Sequence, residues 1–281
     1  MLGAPDPLYV AARRVLLDAL TALREHRDAI VLVAAQAVYI HAGEADLAVA
    51  PFTTDGDLAI DPRCLAPTPL LELALDRANF RHAEDKIGIW EASVDVEGVP
   101  RTVSVDLLVP ESLGGAGRRG ARIPPHANTV ARKASGLEAA LVDRDLTTIR
   151  SLDPDDQRHA DLAVAGPSAL IVAKVHKILD RADSQDRLSD KDALDVYRLL
   201  RAVTTVELAR RFTVLLADDI SRVATERALV EFPRLFDSAA ATGCQMAARA
   251  AGGLEISRTL AASLAILAGD LVAVLKRTSA D

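Results

Sequence analysis

Two carboxylates, Asp55 and Asp57, stand one residue apart in Phe52-Thr53-Thr54-Asp55-Gly56-Asp57-Leu58-Ala59-Ile60, where a turn enters an apolar strand. In an extended chain, side chains i and i+2 share a face, so the two converge at one end of that strand. Like charges held that close repel unless a hard cation such as Mg²⁺ lies between them. A third carboxylate, Asp106, interrupts a second strand-like run, Thr102-Val103-Ser104-Val105-Asp106-Leu107-Leu108-Val109. An acid in such a run is costly without a partner. Three acids from two strands are what two Mg²⁺ ions need to hold a nucleoside triphosphate for in-line displacement. Asp-x-Asp also occurs in solvated turns, where each side chain bonds its own backbone. Asp106 tips the reading towards metal.

A second group of charges lies later in the chain. Lys174 follows the apolar run Ala169-Leu170-Ile171-Val172-Ala173 on an expected helix and should sit near the core. Its ammonium is a compact charge suited to phosphate, and the plain alternative is a lysine snorkelling at a helix edge. Lys177 and Arg181 read as exposed-face residues. In the next helix Ser189 or Asp190 can cap, and Asp192 and Asp195 share a face. Capping and surface charge would account for that cluster without any function. Between residues 112 and 136, four glycines interleave with Arg118, Arg119 and Arg122, followed by Arg132 and Lys133. This composition reads as a mobile basic loop able to meet a polyanion such as RNA, with Arg198 and Arg201 as helical support. His41 and His176 have no ligand-like spacing, and Trp90 reads as core.

The elements that must carry these residues follow from periodicity. Apolar positions from Leu8 to Leu23 recur as in a helix, and Ile30-Val31-Leu32-Val33 is a short buried strand. A helix over 34–41 stops at Gly43, a strand covers 57–61, and a helix runs from Pro69 to about Ala78. Strands are expected at 87–94, 102–109, 138–143, 146–150 and 161–165. From Pro167 the strong segments are all helical, at 167–183, 189–202, 204–217, 219–240 and 257–276. The expected fold is α+β, a mixed sheet with helices over 1–166 and a helical carboxy-terminal lobe over 167–281.

Half the 281 residues are hydrophobic, enough for a substantial core, and the net charge of −7 gives no global attraction to nucleic acid. Only six of the 33 basic residues are lysine, so the arginine content alone says little about RNA. Two distant cysteines, Cys64 and Cys244, make a disulfide framework or zinc site improbable and point to a reducing, cytoplasmic setting. The amino terminus lacks the pattern of a signal peptide. Thr259–Leu275, which contains Ser263 and Asp270, reads as a buried terminal helix and not as a membrane span.

In this order the segments resemble the AbiEii/MenT group of nucleotidyltransferase toxins, within the polymerase-β-like nucleotidyltransferase superfamily. The resemblance covers Ile30 to about Leu200 and rests on five stretches: residues 31–41, 53–58, 105–108, 174–181 and 191–197. It implies a nucleotidyltransferase-like sheet whose helical lobe completes the nucleotide site. Its Ser/Thr-x-Asp-x-Asp pattern falls on Thr53, Asp55 and Asp57, and its nucleotide-contacting lysine falls on Lys174, followed by Arg181. Its late acidic residue falls on Asp192 or Asp195. The implied cofactor is Mg²⁺ or Mn²⁺ on Asp55, Asp57 and Asp106, with Asp106 either third ligand or general base. The implied substrates are a nucleoside triphosphate and the 3′ acceptor end of tRNA, and the implied partner is an AbiEi-like winged-helix antitoxin. Transfer to a small molecule or a protein, and a silent binding subunit of the same fold, are the alternatives. One departure stands out. The superfamily places Gly-Ser or Gly-Gly in the first strand-to-helix turn, where bare backbone approaches the triphosphate, and here the turn is Ala34-Ala35.

Overall fold

A computed structural model describes residues 5–43, 53–181, 190–252 and 254–278. The chain divides into two compact units. The first gathers Met1–Gln36, Ala50–Ala134 and Arg144–Val164, and the second gathers Ala37–Val49, Ser135–Asp143 and Ala165–Asp281. The second unit therefore takes in two segments that precede the compositional change near residue 166.

The first unit is built on a mixed sheet. Its strands are β1 (Ile30–Val33), β2 (Asp55–Ile60), β3 (Arg81–His82), β4 (Ile89–Val96), β5 (Val99–Pro110), β6 (Arg132–Ala134), β7 (Arg144–Arg150) and β8 (His159–Ala165). They run in the order β3-β4-β5-β2-β1-β8-β7, and β6 pairs with β5. β1 is antiparallel to β2 and parallel to β8, while β2 is parallel to β5. Helix α1 (Pro7–Ala22) is capped by Asp6, whose side chain accepts from Leu8 N, and it packs on β2, β4 and β5. A Cβ added at Gly56 would lie 3.2 Å from Leu16 Cδ1, so Gly56 faces α1. Strand alternation then turns Asp55 and Asp57 to the opposite face. Helix α3 (Leu71–Arg77) forms within the expected 69–78, the short β3 was not expected, and Trp90 is core, donating Nε1–H to Val130 O at 3.0 Å.

The stretch 112–136 is not the mobile loop its composition suggests. Ala121, Ile123 and Val130 are buried. Backbone bonds from Ala121 N to Ala131 O, Arg122 N to Gly114 O and Lys133 N to Arg119 O fold the segment onto itself. Buried aliphatic residues that follow the glycines outweigh the flexibility the glycines would allow.

The second unit is helical. It contains most of α2 (Ala34–Ala42), with α4 (Pro167–Asp180), α5 (Asp190–Ala202), α6 (Thr205–Ala217), α7 (Arg222–Phe236), α8 (Thr242–Ala251) and α9 (Leu254–Thr278). The strand expected over 138–143 is instead a 3-10 helix, Leu137–Leu141, with all five residues buried. A short apolar run carries no period that separates the two conformations. Helix α8 was not expected at all. Its buried face is made of Gly243, Cys244, Ala247 and Ala248 with Met246, so a short helix is buried mainly through small side chains. The terminal helix is buried on one side only: Leu260, Ala261, Leu264, Ala268 and Leu271 face inward, Ile266 is exposed, and 28% of its apolar window is buried. Among the described residues, this is the one helix long and apolar enough to cross a membrane.

Candidate active site

The parallel register of β2 and β5 sets Asp57 directly opposite Asp106 and Asp55 opposite Ser104. Residues paired in this way share a face, and adjacent strands lie about 4.8 Å apart. Asp55, Asp57 and Asp106 therefore stand together on the sheet face turned away from α1. Thr53 is buried and donates its hydroxyl to Asp55 Oδ1. Asp106 is 7% exposed, and its Oδ2 accepts from Arg132 Nη2 at 2.5 Å. A cation of the protein's own thus compensates part of the charge of this acidic row. Among the described residues, no three His, Cys, Asp or Glu side chains are gathered as a metal-ligand set. The shared face supplies hard oxygen donors, and Arg132 occupies one of them.

The turn after β1 abuts the same row, because Val33 pairs with Asp57. Ala34 there has φ 56°, the left-handed conformation that glycine adopts freely and an L side chain adopts at a cost. The departure noted in the sequence is thus an alanine held in a glycine's conformation. Two residues that sequence reasoning passed over hold this corner. Gln36, 1% exposed, donates Nε2–H to Asp55 O at 2.9 Å, and its Oε1 accepts from Arg13 Nε at 2.7 Å. Arg13 Nη1 also reaches Arg150 O, and burial draws its guanidinium below its ordinary value. An arginine on the face of α1 that carries Ala12, Leu16 and Leu20 was the available signal.

In the helical unit, α4 and α5 bring Lys174, Asp192 and Asp195 together. Lys174 Nζ lies 2.7 Å from Asp192 Oδ1 and 2.7 Å from Asp195 Oδ2, and all three residues are buried. Burial alone would lower the lysine, but the two carboxylates outweigh it and hold its ammonium well above its ordinary value. Burial likewise pushes Asp192 up, and Lys174 with Lys177 and Arg181 outweighs that and keeps it below. The two aspartates are therefore internal counter-ions and not surface charge. Arg198 Nη1 binds Asp195 Oδ1 at 2.8 Å and stacks over the Tyr39 ring, so it is not an exposed support for RNA. The half-exposed cations at this cluster are Lys177 and Arg181, 3.4 and 3.9 Å from Asp192. Asp190 grips Arg249, and Ser189 lies outside the described residues.

Of the expected RNA-binding residues, Arg118, Arg119 and Arg122 are exposed. Arg132 is committed to Asp106, and Lys133 Nζ donates to the carbonyls of Gly115 and Gly117. Cavities of 310 and 700 Å³ lie beside the end of α1, where Arg24 lines both. None of the three aspartates lines either cavity. No protein-family model, curated protein or solved structure matches the chain.

Proposed function

We propose that this chain is a Mg²⁺-dependent nucleotidyltransferase that moves a nucleoside monophosphate from a nucleoside triphosphate to the 3′ acceptor end of tRNA, as the toxin of a toxin–antitoxin pair. The observation that carries this reading is the register that sets Asp57 opposite Asp106, with Asp55 on the same face. Three carboxylates so arranged suit a hard divalent cation, Mg²⁺ or Mn²⁺, better than any soft metal. Bound there, the ion would neutralise phosphate charge and lower the barrier to displacement at the α-phosphorus.

The residues divide the remaining work. Asp55 and Asp57 would orient the triphosphate, with Thr53 fixing the rotamer of Asp55. Asp106, set directly opposite Asp57 by the register, would serve as third metal ligand or as general base. Lys174 has both of its charge partners inside the helical unit. It ties α4 to α5 within that unit, and Lys177 and Arg181 are the half-exposed cations beside Asp192. The left-handed turn at Ala34 supports the resemblance to a superfamily that puts glycine there.

A second reading is a binding subunit of the same fold that does not turn over. The consumption of Lys174 by two aspartates favours it. One experiment separates the two. The protein is incubated with each α-labelled nucleoside triphosphate and total RNA, with and without Mg²⁺. Mg²⁺-dependent label at tRNA 3′ ends is expected. Tight nucleotide binding with no labelled product would favour the silent subunit, and neither binding nor label would overturn both readings.

A further inference from the structure

The acidic row carries its own counter-cation, and that cation is incompletely housed. Arg132 sits on β6, paired with Leu108, two residues beyond Asp106 on β5. Its Nη2 binds Asp106, but its Nε is buried without a hydrogen-bond partner. A buried donor without an acceptor is costly, and native structures rarely leave one without reason. The Arg132 side chain is 37% exposed, whereas that of Asp106 is 10% exposed, so the arginine is the partner that solvent can reach. A guanidinium offers five donors in a planar fork that matches phosphate oxygens bidentately.

We propose that Arg132 is a removable plug on the carboxylate face, held on Asp106 in the empty protein and drawn off by the phosphates of an incoming nucleotide. The inference rests on the nucleotidyltransferase reading and deepens it. While Arg132 occupies Asp106 Oδ2, a divalent cation meets both a blocked oxygen and a like charge. When phosphate oxygens take over the fork, Asp106 is released to the row. Nucleotide and divalent cation then favour one another's entry, and such coupling is reciprocal. An arginine that serves only to hold the sheet together would produce no such coupling.

The test uses Arg132→Gln and Arg132→Lys in the full chain, with folding checked by circular dichroism. Mn²⁺ affinity without nucleotide is read from the signal of free Mn²⁺ in electron paramagnetic resonance. Affinities for ATP, GTP, CTP and UTP in turn, with metal chelated, are read by calorimetry. In Arg132→Gln, Mn²⁺ should bind about tenfold tighter and the preferred nucleotide about tenfold weaker, the scale of one charge-assisted hydrogen bond. Arg132→Lys should shift both in the same senses by less, and it carries the comparison if the glutamine variant does not fold. Opposite-sign shifts support the plug. If wild type binds both ligands but the variants move both affinities together, or neither, the plug is overturned and the nucleotidyltransferase reading stands. Wild type that binds neither Mn²⁺ nor any nucleotide overturns both.

Discussion

Lys174 donates to Asp192 Oδ1 and Asp195 Oδ2 at equal distances of 2.7 Å, inside a unit where none of the three is more than 4% exposed. Removing one partner of a buried pair leaves an uncompensated charge, at about 3–5 kcal/mol, whereas removing both is often close to neutral. Lys174→Met should therefore be less stable than Lys174→Met/Asp192→Asn, by less than that full cost, because Lys177 and Arg181 still flank Asp192 and Arg198 still holds Asp195. Asp192 is held below its ordinary value of 3.8, so its contribution is present above that pH and is lost as the medium falls through the lowered value. Lys174 is held above 10.5, so its contribution is complete below that pH and fades only above it. Urea denaturation from pH 3 to pH 10 should give a flatter profile for the double variant than for wild type. A single Lys174→Met variant as stable as wild type would contradict the assignment.

Asp57→Asn should fold and lose nucleotide transfer. Partners that merely orient a metal ligand already cost 10–100-fold when removed, so a direct ligand should cost more than about 100-fold. Stability without metal should be unchanged or higher, because one of two facing carboxylates has lost its charge. Thermal melts and label incorporation measured on the same preparation check both halves.

Ala34→Gly should behave unlike an ordinary helical substitution, which costs about 1 kcal/mol. The left-handed conformation costs alanine about 1–2 kcal/mol, and the extra freedom of glycine in the unfolded chain returns part of that. The expected result is no loss, up to a gain of about 1 kcal/mol, read by denaturant titration. A full helical penalty would contradict the conformation described for Ala34.

Replacing Arg118, Arg119 and Arg122 together by Ser should weaken transfer to RNA and reduce the salt slope of RNA binding by about one unit for each phosphate no longer neutralised. Free nucleotide should bind as before, because Arg132 and the aspartates are untouched. Equal RNA labelling at every salt concentration would leave this surface merely solvated.

The long, strongly patterned elements were legible in the sequence. β1 forms over Ile30–Val33 as its four buried aliphatics require, and α5 and α6 fall where their periodicity puts them. The acids were legible too, as costly residues in strand-like runs. Pairing was not. Local patterning says that Asp55 and Asp57 share a face, but only register says that Asp106 joins them. Partners distant in sequence were hidden as well. Arg132 looked like a loop cation until β6 laid it on Asp106. Lys174 looked available to phosphate until α5 supplied two buried carboxylates from 18 and 21 residues away.

The alternation that aims the carboxylates also packs the core. On β2 and β5 the residues next to the acids, Gly56, Leu58, Val105 and Leu107, are buried, and α1 lies against both strands. Because side chains alternate with a period of two, shifting either strand by one residue would swing its aspartate into that packing and its aliphatics out. The site and the core thus fail differently under evolutionary drift. Substitutions can erode Asp55, Asp57 or Asp106 and leave a well-folded relic. A single-codon deletion within either strand would take foldability and the acidic row together. A lineage could lose this chemistry quietly only by exchanging the acids one at a time.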